Sequence, residues 1–318
     1  MDTQAVITGR RITAEEYSDL FDARANCFAT TRFALLNQAK ADAVHFVAIG
    51  REGRAPIAGI IFGEKDGVLK APFSAPFAEL TFRASEPPLF TTLMAVADAI
   101  GCYGAGLQMD LRITLPPVIY SPTTSAKTEK AFTCAGFTAS VTDLNFHLDL
   151  TDAPCYGSTL RHNGRKNLAT ALKSGLTFVT DADIERAYRV IQANRSHRGW
   201  PLRMTLEQVV ATSAVVPVEC FVVTTPDGRD AAAAVVYHVA PCICQVVYWG
   251  DAPGFGNLRP VNFLAAQLVS HYASRGITTL DIGPSTEDGI PNQGLCDFKE
   301  SIGCLTSIKT TLYKPYTL

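Results

Sequence analysis

The feature that most constrains this chain is that it repeats itself. The same succession of elements occurs twice, about 170 residues apart. In the first half, VHFVAIGREGRAPIAGIIFGEKDGVLKAPF reads as three apolar strands with turns at Glu52-Gly53 and Asp66-Gly67, where glycine tolerates a positive φ. In the second, VECFVVTTPDGRDAAAAVVYHVAPCICQVVYWGD has the same form, broken at Pro226-Asp227-Gly228 and at Ala240-Pro241. After each antiparallel meander comes a helix introduced by proline: Pro87-Pro88 before LFTTLMAVADAIG, and Pro260 before VNFLAAQLVSHYASRG. A short strand, a second helix and a closing strand complete each half, the last being TDLNFHLDL and TSIKTTLYKPY. This order predicts an α/β fold, a mixed sheet with helices on its faces, built twice by internal duplication.

The 318 residues, 47% of them hydrophobic, suffice for two domains of about 150 residues, each with its own core. The expected boundary lies in the short linker Thr151 to Pro154, giving domains 1–152 and 153–318. The second half has an extra entry: a long helix over STLRHNGRKNLATALKSG, a strand LTFVT, and two helices, with Asp181 expected as the cap of the first.

Charge and cysteines narrow the partners. A formal net charge of −2 offers no global attraction for nucleic acid or an anionic membrane, so DNA is not an expected partner and tRNA would need a local basic patch. The first residues lack the apolar stretch of a signal sequence and no run reaches a bilayer-spanning length, so the expected location is the cytoplasm, without membrane insertion. Nine scattered cysteines without a metal-binding spacing are expected to be buried reduced thiols, with no metal.

Four motifs stand in order along this repeat. DIGPSTEDGIPNQGLCDFKESIG carries Asp281, Gly283, Ser285, Gly294, Phe298, Lys299 and Gly303. LRHNGRKNLATALKSGL carries Arg161, Arg165, Lys166 and Gly175. A His/Gly/Pro loop spans Arg195 to Pro201, and KAPFSAPFAEL is an early Pro-Phe motif. Together they resemble the FemABX-like family of tandem GNAT-fold acyltransferases. The resemblance covers most of the chain, although the long charged coiled-coil insertion of the peptidoglycan-building members is missing. It implies an N-acyltransferase moving an acyl or aminoacyl group onto an amine, such as one on a cell-envelope or polysaccharide precursor. The donor would be acetyl-CoA or another acyl-CoA, or an aminoacyl-tRNA, bound where the fourth and fifth strands of a domain splay apart, near Tyr248 to Asp251 and Leu280 to Gly283. A silent binding module for a nucleotide-sugar or peptide, and an aminoacyl-tRNA-dependent ligase, are the competing expectations.

Such transfer needs a proton acceptor and donors that steady an oxyanion. The catalytic candidates are Lys299, Asp281, His197 and Tyr248. For the cofactor they are Gly254, Gly256, Asn257 and Arg259, whose loop precedes a helix N-terminus able to hold a pyrophosphate, together with Ser285. Arg161, Arg165, Lys166, Arg195, Trp200 and Trp249 are the substrate-binding candidates, as cations and stacking surfaces. The corresponding stretch of the first half, FRASEPPLF, has no glycine, so the first half is expected to be the degenerate or substrate-side copy.

Overall fold

The computed structural model describes residues 6–316. It divides into two compact units: one runs up to Asp143 and takes in the chain again from Ile308, and the other is Leu144–Ser307.

In the first unit, strand β1 (Ile7–Ile12) is followed by helices α1 (Ala14–Phe21) and α2 (Thr31–Leu36) and then by the meander β2 (Ala43–Arg51), β3 (Ala58–Lys65) and β4 (Val68–Ala71). Next come the two-residue strand β5 (Thr81–Phe82), α3 (Phe90–Leu107), β6 (Asp110–Thr114), α4 (Pro122–Cys134) and β7 (Thr138–Asp149). The strands β2 and β3 read as unbroken apolar runs because both sheet faces are covered. Val47, Ile49, Ile60 and Phe62 meet Leu93, Val96 and Ile100 of α3 on one face. Phe46 and Ile61 meet Tyr17 and Phe21 of α1 on the other. Gly59 allows this second contact, since a Cβ there would stand 2.7 Å from the Phe21 ring. Among the described helices α3 has the length and apolarity of a membrane span. Its Leu93, Val96, Ala97 and Ile100 are wholly buried in the core of this unit.

The second unit begins within β7 and continues through α5 (Tyr156–Thr159), α6 (His162–Leu172), β8 (Thr177–Val179), α7 (Ile184–Arg198) and α8 (Leu206–Ser213). The second meander is β9 (Val218–Thr224), β10 (Asp230–Ala240) and β11 (Ile243–Asp251). It leads to α9 (Pro260–Ala273), β12 (Thr279–Pro284), the small hairpin β13 (Thr286–Glu287) and β14 (Ile290–Pro291), and α10 (Gln293–Ser301). Phe221, Val223, Ala232, Ala234 and Val236 face a core shared with Leu264, Leu268 and Tyr272 of α9. The last strand is β15 (Leu305–Lys314).

Closure of the two units departs from the simple duplication. Strand β15, at the end of the chain, pairs antiparallel with β6 of the first unit, Thr311 opposite Thr114. The second half of β7 pairs with β12 of the second unit, Leu280 opposite Leu148. Each unit is thus completed by strand from the other half of the sequence, and the contact-based division falls at Asp143 and Ser307 rather than at residue 152.

Local details also differ from expectation. The long helix over 158–175 breaks at Leu160 and Arg161 into α5 and α6. The cap of α7 is Asp183, whose side chain accepts the Glu185 amide; Asp181 instead takes a left-handed turn at φ +53°. All nine cysteines are free, but Cys102, Cys134, Cys155 and Cys242 are exposed, so burial does not unite them.

Candidate active site

The site arises from the way two strands part. Strand β11 is parallel to β12 only over Ile243–Gln245, opposite Thr279–Asp281. Beyond this, β12 stays with β7, Gly283 opposite Phe146, while β11 stays with β10 as far as Asp251. The edge of β11 from Val246 to Asp251 therefore has no ladder partner on that side, and its amides and carbonyls are open to a ligand. Within this stretch the register to β10 slips by one residue, since Val235 faces Tyr248 and Val236 faces Val246. The extra residue, Val247, bends the strand and re-aims the side chains beyond it. Tyr248 turns to one face, where its hydroxyl accepts the Met204 amide at 3.2 Å. Trp249 turns to the other and packs edge to face on Phe298 at 6.0 Å.

A cavity of about 390 Å³ opens at this end of β11, a size typical of small-molecule sites. Trp249, Gly250 and Asp251 line it from the strand, and Arg259 to Asn262 from the start of α9. Asn292, Gly294, Leu295 and Phe298 come from α10, Asn194, Arg198 and Trp200 from the end of α7, and Asn167 from α6. Two helices point their N-termini into it. The first turn of α9 has no side-chain cap, because Arg259 stands at the cap position with a left-handed φ of +56°. Pro260 has no amide and those of Asn262 and Phe263 return to the Arg259 carbonyl, so the Val261 amide, the helix dipole and the Arg259 guanidinium are what make this a place for an anion. The start of α10 is closed by Asn292, whose Oδ1 accepts the Leu295 amide at 3.0 Å.

The other wall is held by Asp251. Asn194 donates to its carbonyl at 2.7 Å and to its carboxylate at 3.0 Å, and Arg198 donates to the same carboxylate at 3.0 Å. Gly250 is obligatory here, since a Cβ would lie 2.7 Å from the Asn194 amide carbon. Arg195 and Arg198 flank the Trp200 ring at 5.5 and 5.1 Å from its centroid. Half-buried Arg195 has its pKa lowered by desolvation, and its Nε has no partner among the described residues. Desolvation raises the Tyr248 pKa, so the phenol keeps its proton at neutral pH.

The structure gathers some of the sequence candidates and sets others apart. Arg259, Gly256, Trp200 and Trp249 line the cavity, and Tyr248 and Arg195 stand on the opposite face of β11 beside it. Gly254 and Asn257 are exposed outside the lining, as is His197, on the last turn of α7 rather than in a loop. Arg161 pairs with Glu300, Arg165 donates to the Leu160 carbonyl at 2.9 Å, and Lys166 is exposed. None of these three reaches the cavity, to which α6 contributes Asn167 instead.

Lys299, Asp281 and Ser285 are interior groups. Lys299 is 2% exposed, and its ammonium donates to the carbonyls of Ile282, Gly283 and Pro284 at 3.1, 2.9 and 3.0 Å. All three of its protons are taken, so it neither meets a phosphate nor rides in solvent. Burial lowers its pKa to about 8, while the three carbonyls hold the charged form in place. Asp281, fully buried, accepts from Asn145 and Gln245 at 2.8 Å each and from the Gly283 amide at 2.9 Å, tying β7, β11 and β12 together. Ser285 is 2% exposed and its hydroxyl is unpartnered among the described residues. Sequence reasoning missed Asn194, Arg198 and Asn292, and had Asp251 only as the end of the stretch expected to receive the donor. Their only signal was position, at a strand end or a helix terminus flanking a glycine-rich loop.

A doubled α/β sheet in which each copy holds one parallel pair, β4 with β6 and β11 with β12, with a ligand-sized cavity at the splay of the second pair, defines the tandem GNAT class of fold. The fold of this chain is similar to that of FemX. No protein-family model matches the chain, and no curated protein matches it in sequence. Solved structures do. The crystal structure of FemX is similar over 98% of this chain and 97% of its own, with 14% identity and a TM-score of 0.69. L-PGS from Bacillus licheniformis is similar over 98% and 94%, with 11% identity and a TM-score of 0.61. The C-terminal domain of a putative lysylphosphatidylglycerol synthetase from Agrobacterium fabrum is similar over 94% and 91%, with 12% identity and a TM-score of 0.60. At these identities the likeness is one of fold.

Proposed function

We propose that the chain is an N-acyltransferase that takes an acyl or aminoacyl group from a phosphate-bearing donor and passes it to an amine, on a cell-envelope or polysaccharide precursor, in the cytoplasm. The observation that carries this reading is the cavity at the end of β11, where an uncapped helix N-terminus and Arg259 stand opposite Trp200 and Arg198. Acyl-CoA and aminoacyl-tRNA both present phosphates and a purine, which suit an anion site beside an exposed indole. The unpaired edge of β11 supplies backbone donors for a developing oxyanion. The neighbour described as the C-terminal domain of a putative lysylphosphatidylglycerol synthetase is named for a product bearing an aminoacyl group, which supports aminoacyl transfer as one form of the reaction.

The test is thermal stability of the protein with acetyl-CoA, with CoA, and with charged and uncharged tRNA, each far above its dissociation constant. A ligand held at a hundred times that constant adds about 2.7 kcal/mol of stability. Stabilisation by acetyl-CoA and CoA, lost in Arg259→Ala, supports a CoA donor. A salt-sensitive shift with charged tRNA supports an aminoacyl donor. No shift with any of them removes the transferase reading.

A further inference from the structure

A second recess lies in the first unit. Its free space is about 20 Å³, and Phe28, Phe33, Ile61, Phe73, Ser74 and Glu79 form its wall. One water needs roughly 10–15 Å³ by this measure, so the recess has room for a single small polar group. Its one carboxylate is fixed in position. Glu79 Oε2 accepts the Asn26 amide at 2.7 Å, and Asn26 is itself held by accepting the amides of Phe28 and Ala29 at 2.9 and 3.2 Å. The other oxygen, Oε1, has no partner among the described residues, and no lysine, arginine or histidine there pairs with Glu79. Lys40, which reaches the rim at Ser74 Oγ at 2.7 Å, also donates to Asn37 Oδ1 at 2.8 Å rather than to Glu79.

A carboxylate walled by phenyl rings and lacking a cation is costly to keep ionised. It is also what recognises an ammonium: the carboxylate accepts its protons and the ring faces attract its charge. We propose that this recess is a binding site for a small primary ammonium group, with Glu79 as its counter-ion and Phe28, Phe33 and Phe73 as its aromatic wall. The size of the recess admits the ammonium and at most one carbon, so the rest of any longer ligand projects past Ser74. The site stands on the geometry of the first unit alone and does not depend on which donor the second unit binds.

Burial raises the Glu79 pKa to about 7. The titratable groups facing it, Cys27 and Tyr17, are pushed up as well and stay neutral at that pH. A proton and the ammonium therefore compete for Glu79, and affinity rises roughly tenfold per pH unit up to about 7 and then levels off.

The experiment is saturation-transfer NMR on the full chain with methylammonium as the probe, and with methanol and formate as the neutral and anionic probes of like size. The expected result is transfer to methylammonium only, growing between pH 5 and 7 and lost in Glu79→Gln. Ala78→Leu, which fills the recess and leaves Glu79 in place, loses the signal too and serves should the glutamine variant not fold. Equal transfer to methanol, or a methylammonium signal unchanged in Ala78→Leu or indifferent to pH, would overturn the assignment.

Discussion

Lys299 shows how much a single side chain can change meaning between sequence and structure. In sequence it is a lysine beside a motif strand, able to meet a phosphate. In the fold it is a buried cation closing three successive carbonyls at the end of β12, where Gly283 turns the chain at φ +75°. Lys299→Met keeps the bulk and removes the donors, leaving three buried acceptors unsatisfied. The expected loss of stability is about 3 kcal/mol, measured by urea unfolding. A variant as stable as the parent would return Lys299 to the list of groups free to act on a ligand. Asp281 belongs to the same framework, since its two oxygens are already engaged from three directions.

At the scale of elements, the approach of α6 to α10 is set by one missing methyl group. Gly164 sits where an added Cβ would stand 1.9 Å from the Ser301 carbonyl oxygen, whereas Gly157, on α5, has nothing within 4 Å. Gly164→Ala must push the two helices apart, and α10 carries both Lys299 and the Asn292 end of the cavity. The expected cost is about 3 kcal/mol, with weakened ligand binding. Gly157→Ala, a change to a better helix former in open space, is expected to be neutral or slightly stabilising. Paired denaturation curves for the two variants check this contrast, and equal stabilities would contradict the close packing.

At the scale of the molecule, the end of the chain belongs to its beginning. Strand β15 lies between β6 and the first half of β7, with Thr114 and Thr311 hydroxyls 2.9 Å apart and Leu115 donating to the Thr310 carbonyl. Truncation after Ser307 removes that strand from the first unit, although the lost residues come after the second in sequence. Hydrogen exchange is expected to quicken in β6 and in Thr138–Asp143 while β9 to β11 keep their protection. Loss of protection confined to the second unit would contradict this partition.

The sequence by itself determined the local order of the chain. The meanders appeared because apolar runs of strand length alternate with Gly and Pro turns, and α3 and α9 because proline opens each of them. The repeat made the fold class legible, since a duplicated pattern can only be satisfied by a duplicated sheet. Within the candidate site Gly256 and Arg259 were legible for the same reason, as the end of a loop running into a helix start. Tertiary structure decided the rest. The exchange of β7 and β15 between the halves left no mark in the pattern, because a closing strand looks the same whichever sheet it completes. The places of Asn194, Arg198 and Asp251 at one cavity depended on where β11 bends and where α7 ends. The roles of Lys299 and Asp281 depended on burial, which turns a charged side chain from a surface group into one whose every hydrogen bond must be made inside the protein.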